Sequence, residues 1–122
     1  MSDPNLTGRC ILLVEDEYMV AEPLAELLEV WGATILGPAP TLEQALGLLA
    51  RTDQIDFALV DVNLRGIKAF PLADALLARG VPFVFTTGYG TSMIPEPYRD
   101  VAVVQKPFSK VALAKALLVL AS

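Results

Sequence analysis

The sequence contains no histidine. That absence removes Ser–His–Asp and Cys–His nucleophile systems, zinc sites that depend on imidazole, and any role as a phosphohistidine donor. Acid–base or nucleophilic chemistry must come from carboxylates, Lys, Tyr, Ser, Thr or one thiol. The single cysteine, Cys10, cannot form an internal disulfide. Inside the apolar run CILLV it reads as a buried core thiol. Cations are also few: nine Lys and Arg face fourteen Asp and Glu, for a net charge of −5, and they are scattered. A nucleic-acid groove needs a basic stripe, and so does an anionic membrane surface, so neither partner is expected. No apolar run approaches the roughly 18 residues of a membrane span; the longest are 10–14 and 111–121, the second broken by Lys115. Residues 1–8 lack the cationic start and apolar centre of a signal peptide. The expected location is therefore cytoplasmic.

What is present is a chain of 122 residues, 54% of them hydrophobic. That is enough for one core and too short for two. Residues 1–8 read as an N-terminal tail and 9–122 as one domain. Continuous apolar runs at 9–14, 33–37, 56–60, 81–86 and 101–105 read as strands buried on both faces. Helical spacing follows the first at 17–31, ending at Gly32, with Pro23 awkward inside it. Pro38 and Pro40 mark a loop. Thr41 with Gln44 signals a capping box for a helix carrying Leu42, Ala45, Leu46 and Leu49. A third helix spans 71–79, and Ser109 is placed to cap the last. Pro95 and Pro97 leave only a short turn or loop between the fourth and fifth strands. Strands alternating with helices predict an α/β fold, a doubly wound parallel sheet whose ligands bind beyond the carboxyl ends of the strands.

Those ends carry the polar residues. The first strand delivers Glu15, Asp16 and Glu17; the third, Asp61; the fourth, Thr87; the fifth, Lys106. Each alone is an ordinary helix cap, turn or loop residue; the specificity lies in their convergence on one edge. Crowded carboxylates repel, and one of them holds its proton unless a hard cation intervenes. Oxygen ligands suit Mg²⁺, with Mn²⁺ also possible. A carboxylate in such a site can attack a phosphoryl donor, while Lys106 and the Thr87 hydroxyl neutralise charge on the phosphoryl oxygens.

LVEDE (13–17), DVNL (61–64), TTGYG (86–90) and KPF (106–108) together resemble the response-regulator receiver domain over the whole chain beyond the tail. The resemblance implies a five-stranded sheet of order 2-1-3-4-5 (flavodoxin-like, CheY-like) with a short or irregular fourth helix. It implies Asp61 as phosphoacceptor, with Thr87 and Lys106 contacting the phosphoryl group. Asp16, Glu15, Asp61 and the Asn63 backbone carbonyl would hold the metal. Lys106–Pro107 would be a cis peptide. PFVFTTGY (82–89) is similar to the PFxFATGY signature of the single-domain "FAT GUY" regulators of alphaproteobacterial stress signalling, with Thr86 in place of Ala. Those regulators act as phosphate carriers or competitors in phosphorelays. The expected partner is a sensor histidine kinase or a histidine phosphotransfer protein, the expected state a monomer or weak dimer, and no output domain is expected after the last helix.

Three positions depart from the common receiver pattern. Val103 stands where an aromatic residue normally precedes the Lys. Arg65 stands where many receivers have Pro. The segment 88–100 replaces an ordinary fourth helix and is expected to order or move on phosphorylation. Tyr89 reads either as an aromatic lid packed on the loop or as a shield that slows loss of the acyl phosphate. A haloacid-dehalogenase-like phosphohydrolase uses similar residues but needs a second Asp where Asn63 stands. A phosphorylation-independent pseudo-receiver is disfavoured by the intact acidic set, Asp61, Thr87 and Lys106. A dinucleotide fold lacks its third glycine here.

Overall fold

The computed structural model describes residues 3–88 and 94–121. The chain runs β1 (Cys10–Val14), α1 (Tyr18–Val30), β2 (Thr34–Ala39), α2 (Leu42–Arg51), β3 (Phe57–Asp61), β4 (Asn63–Leu64), β5 (Ile67–Lys68), α3 (Phe70–Ala78) and β6 (Phe83–Thr87). A single 3₁₀ turn (Glu96–Tyr98), β7 (Val103–Gln105) and α4 (Lys110–Ala121) complete it. The main sheet is parallel, in the order β2-β1-β3-β6-β7. Counting its five strands in sequence, this is the expected 2-1-3-4-5.

Alternation along each strand sorts the core into two layers. Leu12, Val14, Ala58, Val60, Phe83 and Phe85 pack on the side that holds α2 and α3. Ile11, Leu13, Phe57, Leu59 and Val84 pack on the other side with α1 and α4. Both faces are dry, which is why these strands read as unbroken apolar runs. Trp31, at the end of α1, joins the second layer.

Local signals explain several element ends. Thr41 Oγ1 accepts from the Gln44 N–H at 3.1 Å, starting α2. Ser109 Oγ accepts from the Ala112 N–H at 3.2 Å, starting α4. Helix α1 continues through Pro23 from Tyr18, five residues upstream.

The sequence reading differs from the structure in four places. Strand β2 does not stop at Gly37 but runs through Pro38 to Ala39. It is the sheet's edge, and its pairing with β1 shifts register between Leu12 and Val14. An edge bulge tolerates proline. Gly37 has φ +105°, and a Cβ there would meet the Leu13 carbonyl at 2.7 Å, so only glycine fits. Residues 1–8 are not all tail-like: Leu6 is 1% exposed, packs in the α1–α4 layer, and donates its N–H to the Trp31 carbonyl. Burying one Leu contributes roughly 1.5–3 kcal/mol, but a lone leucine among polar neighbours leaves no periodicity to read. Cys10 is half-buried, at the opening of β1, rather than in the core. Finally, β4 and β5 form a small antiparallel hairpin that the sequence pattern does not announce.

Between β6 and β7 the described part of the connection is anchored by Tyr98. Its ring stacks on Phe70 at 5.1 Å and meets Phe85 edge-on at 6.0 Å. Its hydroxyl donates to Asp74 on α3.

Candidate functional site

The polar residues expected at the strand ends meet at the carboxyl edge of the sheet. Asp61 closes β3 and Thr87 closes β6; both are buried, and Glu15, immediately after β1, is 2% exposed. Lys106 follows β7, its N–H donating to the Thr87 carbonyl at 2.8 Å. Its ammonium lies 2.7 Å from Asp61 Oδ2 and 2.8 and 3.0 Å from the two Glu15 oxygens. Glu17 Oε1 is a further 3.5 Å contact on the solvent side. The sequence places Glu17 with Glu15 and Asp16 at the end of the first strand; its reach to Lys106 depends on a loop that periodicity cannot place.

Backbone donors hold the carboxylates. The Asn63 N–H donates to Asp61 Oδ1 at 3.0 Å, the Glu17 N–H to Glu15 Oε2 at 3.1 Å, and the Arg65 N–H to Asp16 Oδ2 at 3.0 Å. A cleft of about 270 Å³ opens over them, lined by Asp16, Glu17, Asp61, Asn63, Thr87, Gly88 and Lys106. The Lys106–Pro107 peptide is cis. Val103 is partly buried against the core and faces Phe85 in register. Tyr89, with its two readings, and Gly90 lie outside the described residues.

Oxygen atoms of Glu15, Asp16 and Asp61 all lie within 4.8 Å of one another. An all-oxygen set of three carboxylates fits a hard divalent cation such as Mg²⁺ or Mn²⁺.

One ammonium faces several carboxylates, and their burial is costly. Burial pushes the Glu15 carboxyl up to about 7, and the nearby Asp61 charge adds to this, while Lys106 opposes it. Burial also raises Asp61 against the pull of Lys106 and the Asn63 N–H. Lys106 is desolvated too, yet Asp61 and Glu15 outweigh that and hold it well above the usual lysine range, so it remains cationic. Partial burial works against the Asp16 anion, but the Arg65 N–H leads the contributions that bring its carboxyl below the ordinary value.

A pH dependence follows. Glu15 and Asp61 are raised in the fold, so without a cation their protonated forms add stability that is complete below the ordinary carboxylate range. That stability is lost as pH rises through about 7 for Glu15. Asp16 moves the other way, but its window lies below its ordinary 3.8. The metal-free Tm is therefore expected to fall between about pH 5 and pH 8, with Mg²⁺ restoring most of the loss at the alkaline end and little at the acid end. Thermal melts across this range with and without Mg²⁺ check it; a flat metal-free profile would contradict it.

A doubly wound parallel sheet with an acidic cluster, a buried threonine and a lysine at its carboxyl edge defines a receiver domain of two-component signalling. The chain belongs to the response regulator receiver domain family, whose model matches residues 11–118. It is similar to the solution structure of SdrG from Sphingomonas melonis Fr1, at 44% identity and a TM-score of 0.83 over all of both chains. It also matches the BeF3-activated conformation of SdrG from Pseudomonas melonis Fr1, at 42% identity and a TM-score of 0.79, again over all of both chains. The phyllosphere-induced regulator PhyR of Methylorubrum extorquens is 30% identical over 106 residues, which are 80% of this chain and 38% of PhyR. The chain thus spans well under half of that curated relative. Among the described residues no helix is long and apolar enough to cross a membrane.

Proposed function

We propose that this receiver domain accepts a phosphoryl group on Asp61 in a step that requires a divalent cation. The observation that carries the reading is the placement of the Asp61 carboxylate between Lys106, at 2.7 Å, and the acidic pair Glu15 and Asp16. An Asp61 oxygen forms the bond to phosphorus. The bond from phosphorus to the donor, an imidazole nitrogen or the oxygen of a small acyl phosphate, breaks and returns its electron pair to the leaving group. Glu15, Asp16, Asp61 and the Asn63 carbonyl would hold the cation, which supplies positive charge for the phosphoryl oxygens. Lys106 supports a second oxygen, and the Thr87 hydroxyl at the cleft wall a third.

With no histidine of its own to donate from, the chain takes its phosphoryl group from outside: from a sensor histidine kinase or a histidine phosphotransfer protein as protein partner, or from a small acyl phosphate. The product is a switch or phosphate carrier of the FAT GUY kind rather than a turnover enzyme. Asn63, where a phosphohydrolase of the haloacid-dehalogenase type needs an acid, cannot protonate a leaving group.

The output differs from that of the common receiver pattern, because Val103 stands in place of the usual aromatic residue and has no ring to move. Among the described residues, Tyr98 is a ring close by, seated on Phe70 and Phe85 behind the β6–β7 connection. The connection beginning at Gly88, directly after Thr87, is the segment we assign to the readout. Hydrogen exchange with and without beryllofluoride is expected to change in the amides from 88 to 100 and to leave α2 unaffected. Unchanged protection across that segment would remove this account of the output.

A further inference from the structure

We propose that the β4–β5 hairpin is a clip that sets the cation affinity of the acidic site, with Arg65 as its positioning residue. The inference rests on the reading of Glu15, Asp16 and Asp61 as cation ligands and concerns what orients them. The hairpin follows Asp61 directly, and its turn consists of Arg65 and Gly66. Arg65 has φ +54° and Gly66 φ +87°. Both central residues are left-handed, as a two-residue type I′ turn requires. Glycine adopts this freely. Arginine does so only against the crowding of its Cβ, and Arg65 is the one non-glycine residue with positive φ among the described residues.

That conformation sends backbone donors to the site. The Arg65 N–H reaches Asp16 Oδ2 at 3.0 Å, across 49 positions of sequence. The Asn63 N–H reaches Asp61 Oδ1 at 3.0 Å, and the Gly66 N–H reaches the Asn63 side-chain oxygen at 2.9 Å, closing the turn on itself. Leu64, 2% exposed and packed in the α2–α3 layer, fixes the hairpin to the core. One short element thus grips carboxylates from two strands. Mutual repulsion would otherwise turn Asp16, the most exposed of the three, toward water. Asp16 and Asp61 each use one oxygen on the clip, which leaves the other for a ligand or for Lys106. Partners that orient metal ligands in this way are typically worth 10–100-fold in metal affinity.

Binding of Mn²⁺, followed by the electron paramagnetic resonance of the free ion, tests the clip through affinity alone. Arg65→Pro removes the N–H and forbids positive φ; its affinity is expected to fall about tenfold or more. Arg65→Gly keeps the N–H and relieves the strain, so it should bind at least as tightly as wild type. A guanidinium acting by charge, or a purely structural role, does not yield that order. Near-UV circular dichroism reports whether each variant is folded. Should Arg65→Pro fail to fold, Asn63→Ala decides: it removes only the bond that closes the turn, and an unchanged affinity overturns the proposal. So does Arg65→Pro binding like wild type, or Arg65→Gly losing as much as Arg65→Pro. Wild-type protein that takes up no Mn²⁺, or Asp16→Asn that binds as tightly as wild type, instead removes the cation reading itself and the clip with it.

Discussion

Incubated with acetyl phosphate and Mg²⁺, the wild-type chain is expected to gain the mass of one phosphoryl group, and Asp61→Asn none. The substitution keeps the shape and the Asn63 N–H can still find an oxygen, but the amide oxygen is a far weaker nucleophile than a carboxylate. It also withdraws one of the two buried anions that hold Lys106. Lys106 retains Glu15 at 2.8 Å, so the site is not left with an unpaired charge and the variant should fold. The expected difference in uptake exceeds a hundredfold, the order usual when a reacting group itself is lost. Chelation of divalent ions should act on wild type almost as strongly, because Glu15 and Asp16 then repel the incoming phosphoryl oxygens. Intact-protein mass spectrometry reads both arms. Equal uptake by the amide variant would move the acceptor away from Asp61, and uptake insensitive to chelation would dismiss the cation.

Most of this site is legible in the sequence because of how the sheet is buried. Strands covered on both faces are continuous apolar runs, so the first polar residue after each run marks the carboxyl edge. Glu15, Asp61, Thr87 and Lys106 can be collected from that rule alone, and the structure brings them together. What the rule misses is whatever depends on irregular backbone. The edge bulge at Gly37–Pro38 looks like a strand end because proline and glycine ordinarily mean one. Leu6 has no apolar partners in sequence; its partners, Leu28 and Trp31 among them, are on a different element. The hairpin after Asp61 has strands of two residues each, too short for any alternation to show. Its one available signal is the pair Arg65-Gly66, a two-residue loop ending in glycine. The bond from that loop to Asp16 is made by the backbone and leaves no mark on side-chain identity.

The same geometry makes the loss of Lys106 costly to stability as well as to chemistry. Its side chain is 13% exposed, while those of Glu15 and Asp61 are 1% and 5% exposed, so the ion pairs sit largely out of water. Replacing a buried pair wholesale is often harmless, but removing one partner strands the other. Lys106→Met strands two carboxylates. Without divalent cation and near neutral pH the expected loss is about 3 kcal/mol, at the low end of the usual 3–5 because Glu15, already raised to about 7, can keep a proton. Denaturant melts should show part of this loss recovered at lower pH and part recovered by Mg²⁺, each by a different route to the same neutralisation. The decisive comparison is the double variant Asp61→Asn with Lys106→Met. If the ammonium is chiefly a counter-charge, the second substitution costs less once Asp61 is neutral, and the coupling between the two should exceed about 1 kcal/mol. If instead the aliphatic stem of Lys106 packs the loop before Pro107 and its charge is incidental, methionine preserves that packing. Neither the single variant nor the cycle then shows an appreciable effect. Phosphoryl uptake separates the same alternatives, since a neutral methionine cannot support a phosphoryl oxygen even when Mg²⁺ has restored the fold.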